Sequence, residues 1–239
     1  MKMTLRCIVC CLVIMTTLLS CQGKTPQENG TLLGADLLTA AWDGDVATVK
    51  ALLDKGADVN ARDRHNATPL IYVAQKGNVE LTNVLLAHQA DVNTKDVADV
   101  TALMEAARNG HLAIVKLLLA HKAEVEARDK NLNTALIMAA SGRDAEIVRV
   151  LLEQGANVNA KNHTGMTALI GSAWNGQNDM VRTLLLRGAD INARTADGKT
   201  ALMLAKEKGY PSTIKLLKTF GATEGSTPIE DWGLGVRHW

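Results

Sequence analysis

Hydrophobic and polar positions along the chain fall into a unit that recurs every 33 residues. One unit runs TALMEAARNGHLAIVKLLLAHKAEVEARD from Thr101 to Asp129. Its first half spaces Leu103, Ala106 and Ala107 so that all three fall on one face of a short helix. After Gly110 the second half carries Ile114, Val115, Leu117, Leu118 and Leu119, a stripe too broad for an exposed helix. A polar stretch without periodicity closes the unit. The same text begins at Thr68, Thr134, Thr167 and Thr200, and once without the threonine at Ala35. Six copies thus fill residues 35–223, and a period of this length predicts an all-α repeat solenoid built of helix pairs.

Punctuation inside each copy supports two helices and an arm. The threonines offer hydroxyls as N-caps, and Pro69 follows one of them at the first helical position, where its missing N–H costs nothing. Gly44, Gly77, Gly110, Gly176 and Gly209 break the first helix from the second. Asp45, Asn78 and Asp144 stand where they can cap the second. Gly56, Gly155, Gly188 and Gly221 supply a left-handed residue to close it. In the arm that follows, Asn60, Asn93, Asn159 and Asn192 suit a turn braced by side-chain bonds to backbone.

This unit resembles the ankyrin repeat, whose pattern runs D-x-x-G-x-T-P-L-H-x-A-A-x-x-G-H and then L-L-L-x-x-G-A-D-V-N-A. The resemblance covers residues 35–223 and implies an L-shaped stack, with helix pairs as one wall and β-hairpin tips projecting from it. The family histidine is replaced by Ile71, Met104, Ile137, Ile170 and Met203, so packing takes over its role. Proline survives only at Pro69. Gln89 and Lys122 hold the C-cap glycine position, and Arg143 the mid-copy one. A non-glycine residue in a left-handed conformation costs on the order of 1 kcal/mol, so the second to fourth copies are expected to be the softer part of the stack.

The resemblance also implies where contacts are made: on the hairpin tips and on exposed residues late in the first helix. Those registers give a partner-binding set of Trp42, Arg64, His65, Gln75, Lys76, Val100, Arg108, Asn109, Lys130, Asn131, Asn133, Met166, Trp174 and Asn175. Trp42 and Trp174 share one register. Exposed tryptophan and arginine are common interface anchors, while the alternative is a ring lying flat on its own copy. The tip DVADV, Asp96–Val100, is unusually apolar, which suits either a contact or a hairpin tucked against its neighbours. His111 sits at the family's G-H position and reads as structural. His88 and His121 recur near the ends of successive helices, but two imidazoles fall short of the three or four ligands a metal site needs. No catalytic motif or phosphate loop appears, and neither a cofactor nor a metal is called for.

Composition changes the picture at the N-terminus. Formal charge is +1 over 239 residues, which gives no electrostatic reason to propose nucleic acid as a partner. All four cysteines lie within the first 21 residues, in MKMTLRCIVCCLVIMTTLLSC. Basic Lys2 and Arg6, a short apolar run and small Ser20 make residues 1–20 read as a signal peptide. Leu18, Ser20 and Cys21 resemble a bacterial lipobox, which implies lipid attachment at Cys21, with Leu19 bulkier than usual. An ordinary cleaved signal is the alternative. Removing Lys2 and Arg6 would leave 24 basic and 25 acidic residues. Residues 21–34, polar and rich in turn formers after the cysteine, read as a tether. Residues 224–239, with Trp232 and Trp239, resemble no copy and suit either a cover for the end of the stack or a contact. The resulting expectation is a monomeric, non-catalytic scaffold that binds an unidentified protein. It would be anchored by lipid in the cell envelope, on the periplasmic face of an outer membrane. Inhibiting or assisting an exported enzyme in stress defence, or acting as a host-directed effector, are the alternatives.

Overall fold

The computed structural model describes residues 26–142 and 144–223. Within them twelve helices pair in chain order: α1 (Pro26–Asp43) with α2 (Val46–Asp54), α3 (Pro69–Lys76) with α4 (Val79–Ala87), and α5 (Ala102–Asn109) with α6 (Leu112–Ala120). Then α7 (Ala135–Ala139) pairs with α8 (Ala145–Glu153), α9 (Ala168–Trp174) with α10 (Asn178–Leu186), and α11 (Ala201–Glu207) with α12 (Pro211–Thr219). First helices pack on first helices and second on second along the stack. The all-α solenoid read from the period is therefore the architecture observed.

The caps do what their residue types dictate. The hydroxyls of Thr68, Thr101, Thr134, Thr167 and Thr200 accept the N–H three residues on, at 3.2–3.5 Å. Asp45 and Asn78 cap α2 and α4 in the same way, and Asp144 caps α8 by accepting the N–H of Glu146, two residues on. Leu70, Leu103, Leu136, Leu169 and Leu202 are each 1% exposed and join one continuous core. Ile71, Met104, Ile137 and Ile170 are buried too, so apolar packing does replace the family histidine. Gly56, Gly155, Gly188 and Gly221 have φ of 84° to 93°, and Gln89 and Lys122 are held at 63° and 64°. Arg143 lies outside the described residues.

Three features depart from the sequence reading. The arm asparagines brace the following copy, not their own turn. Asn60, Asn93 and Asn159 accept the N–H of Asp91, Glu124 and Asp190 at 2.7–2.8 Å, and Glu126 takes the same part for Asn157. The hairpins are tight turns closed by a backbone bond between their flanks, such as Asp96 N–H to the Val100 carbonyl at 3.1 Å. Among the described residues they form no strand, only an isolated bridge between Arg194 and Thr200. Finally, α1 starts at Pro26, so residues 26–34 of the expected tether are helical. Leu33 packs against the core, and a Cβ on Gly34 would sit 3.0 Å from that of Ala61, so this segment is held by contacts that polar composition does not reveal. The signal peptide, Cys21 and the tail 224–239 lie outside the described residues.

Candidate protein-binding surface

Two rows of side chains run along one edge of the stack, and each is held from behind. At the base of the tips, Asp63 Oδ1 accepts the N–H of His65 and Ala67 at 2.8 Å. Asp96, Asp129 and Asn162 repeat this pairing in the next three arms. Adjacent tips are then tied together: Val97, Lys130, His163 and Ala196 donate their N–H to the carbonyls of His65, Ala98, Asn131 and Thr164 at 2.8–3.0 Å. A tip fixed this way loses little freedom on association, which is the energetic advantage of a preformed surface.

Asp63 also accepts the Tyr72 hydroxyl at 2.6 Å. Burial pushes the Asp63 carboxyl up, but the bonds from Tyr72, Ala67 and His65 outweigh it and hold it below the ordinary carboxylate value. Burial, and then the same hydrogen bond, raises the Tyr72 phenol to about 12. The pair is a fixed anion and a neutral phenol across the physiological range.

The helix row is similarly locked. Arg108 forks onto Glu105 at 2.6 Å, and Asn109 Nδ2 donates to the Glu105 carbonyl at 2.8 Å. Glu105 is nearly buried while Arg108 remains exposed. Trp42, 45% exposed, meets Tyr72 edge-to-face with ring centroids 5.2 Å apart and carries Lys76 Nζ 3.7 Å above its ring. Trp174 carries Lys208 in the same way at 3.7 Å and leans on the core. Both tryptophans are thus covered on one face by a lysine from the next copy, an attraction of about 0.5–1 kcal/mol at exposed sites. Each ring thus packs against the copy that follows it.

This combination of a capped helix pair, an arm and a registered tip is what a comparison with known families detects. The family profile described as Ankyrin repeats (3 copies) matches residues 37–129, 124–195 and 173–231. The chain belongs to the ankyrin-repeat family. A search of curated proteins finds no match.

In this ankyrin stack, Trp42, Arg64, His65, Lys76, Arg108, Asn109, Lys130, Asn131 and Asn175 stand exposed on the tips and helix ends, with Gln75 and Trp174 half-buried beside them. The remaining three members of the set point elsewhere. Val100 is 8% exposed and belongs to the core. Met166, at the same register two copies on, is half-buried against the same core. Asn133 is spent on structure, donating to Asp129 and accepting from Asn162, both at 2.9 Å. All three precede a capping threonine, where the hairpin turns inward. His111 bonds the Gln75 carbonyl at 3.1 Å, as its structural reading requires. The rings of His88 and His121 bond carbonyls of their own helices.

One feature escaped the sequence reading. The third tip residue is left-handed in every described tip: Asn66 (58°), Asp99 (61°), Leu132 (61°), Gly165 (72°) and Gly198 (80°). The glycine of the family's D-x-x-G register is the signal that would have found it. Beside it, Val97 is the one large apolar tip residue standing clear, 45% exposed.

Proposed function

We propose that this chain binds a partner protein along the edge formed by its hairpin tips and first-helix ends, tethered to a membrane by lipid on Cys21. Ankyrin repeats indicate a protein-interaction scaffold. The observation that carries the reading is the contrast within each copy: buried positions repeat almost unchanged, while the braced edge presents Arg64 and His65, then Val97 and Ala98, then Lys130 and Asn131. Repetition builds the support, and variation on a rigid edge supplies specificity. Arg108, exposed but oriented by a nearly buried carboxylate, and Trp174, with one face against Lys208, are the anchors expected to matter most.

The test is recovery of partners from envelope extract by the full chain and by Arg108→Ala with Trp174→Ala. Losing two anchors of more than 1 kcal/mol each lowers recovery at least tenfold. Equal recovery, with circular dichroism showing an intact fold, would place the contact elsewhere. The tether is supported by the lipobox-like Leu18–Cys21 and is tested separately. Tritiated palmitate should label the wild type and not Cys21→Ser, and labelling of both would remove Cys21 as the anchor.

A further inference from the structure

Along the stack, every copy but one receives the arm that precedes it. That arm lies beside the first helix, and the arms preceding copies 2 to 5 are each bonded to the next arm twice, once through an asparagine or Glu126 and once through a tip carbonyl. Copy 1 is the exception because residues 26–34 continue α1 as helix instead of folding as an arm. Two consequences follow. A cavity of about 910 Å³ opens between α1 and the first arm, lined largely by apolar groups of Leu38, Trp42, Ala61 and Tyr72, with Thr39 at its edge. The N–H groups of Asp58 and Arg64, which stand where Asp91 and Val97 make their inter-arm bonds, donate to no group among the described residues.

We propose that this slot receives an extended segment of a partner protein. Carbonyls of the segment accept the Asp58 and Arg64 N–H groups, and one of its apolar side chains enters between Leu38, Trp42 and Tyr72. The occupant is specified by the molecule itself, because in the later copies the equivalent place is filled by an extended arm making the same two bonds. A compact apolar ligand fills the volume but leaves both N–H groups unpaired, which burial penalises. An added strand-like segment satisfies them, the mode by which exposed edges capture peptides. The inference rests on the reading of the chain as a binding scaffold, but it uses copy 1 and not the anchors in copies 3 and 5.

The experiment selects 12-residue peptides from a random library on the immobilised full chain and makes the enriched ones synthetically. Three proteins are compared: wild type, Thr39→Arg, which puts a bulky cation into the slot from an exposed position, and Arg108→Ala with Trp174→Ala. Enriched peptides should alternate apolar and polar residues and bind Thr39→Arg at least tenfold more weakly than the double variant. They should also slow amide exchange at Asp58 and Arg64. Equal binding to Thr39→Arg, absence of enrichment, or protection confined to other amides overturns the proposal. So does slow exchange of both amides in the free chain, which would show that the chain's own residues already fill the slot. Loss only in the double variant supports the edge and rejects the slot. Loss only in Thr39→Arg does the reverse, so the two readings fail independently.

Discussion

Leu132 sits at φ 61° on a hairpin tip, a conformation that costs a residue with a β-carbon roughly 1–2 kcal/mol. Asn66 and Asp99 hold the same place on the two preceding tips, but short polar side chains enter this region several-fold more readily. Gly165 and Gly198 show that the turn itself asks for no side chain. Leu132 is half-buried yet lies outside the core, so little packing offsets its strain. Leu132→Gly should therefore stabilise the fold by about 1 kcal/mol, a rise in Tm of about 2–4 °C. Asn66→Gly and Asp99→Gly should gain less. Thermal unfolding followed by circular dichroism orders the three, and a fall in Tm for Leu132→Gly would show that its side chain packs after all.

Two kinds of helix start recur along the stack. Five first helices and three second helices begin on a side chain that accepts a backbone N–H. Thr167 is 2% exposed, with Ile170 N–H at 3.2 Å from its hydroxyl, so water cannot replace it. Thr167→Ala should cost about 1–2 kcal/mol, read as a lower denaturant midpoint with an unchanged slope. A midpoint equal to wild type would mean that packing alone starts α9. The second kind uses rings in place of caps. His111 and Tyr210 begin α6 and α12 without a side-chain cap bond, and each lays its ring on the glycine that breaks the copy before. A Cβ on Gly77 would sit 2.5 Å from the His111 ring, and one on Gly176 would sit 2.9 Å from that of Tyr210. These two glycines provide a left-handed turn and a close approach at once.

At the scale of the molecule, each copy touches only its neighbours, so stability is a sum of copies and junctions. Asn93 ties the arm of copy 2 to Glu124 of copy 3 at 2.8 Å, next to Lys122, which is held left-handed. Asn93→Ala should loosen that junction by about 1 kcal/mol. Amide exchange should then speed up within residues 68–133 while residues 167–223 keep their rates. Uniform acceleration along the chain would mean that the stack opens only as a whole.

The 33-residue period, the capping threonines and the C-terminal glycines are local signals. Each depends on how a residue type treats its own backbone, and each was legible in the sequence. The exposed part of the candidate edge was legible for the same reason, since Arg64, Arg108 and Lys130 follow from their registers. Other outcomes depend on which groups meet across a junction between copies. Only the fold decided that Val100 and Met166 turn inward, that an asparagine braces the next copy, and that a helix in place of an arm leaves a slot beside α1. A sequence states what a position offers. What lies opposite, some thirty residues further along the chain, is settled only when neighbouring copies are stacked.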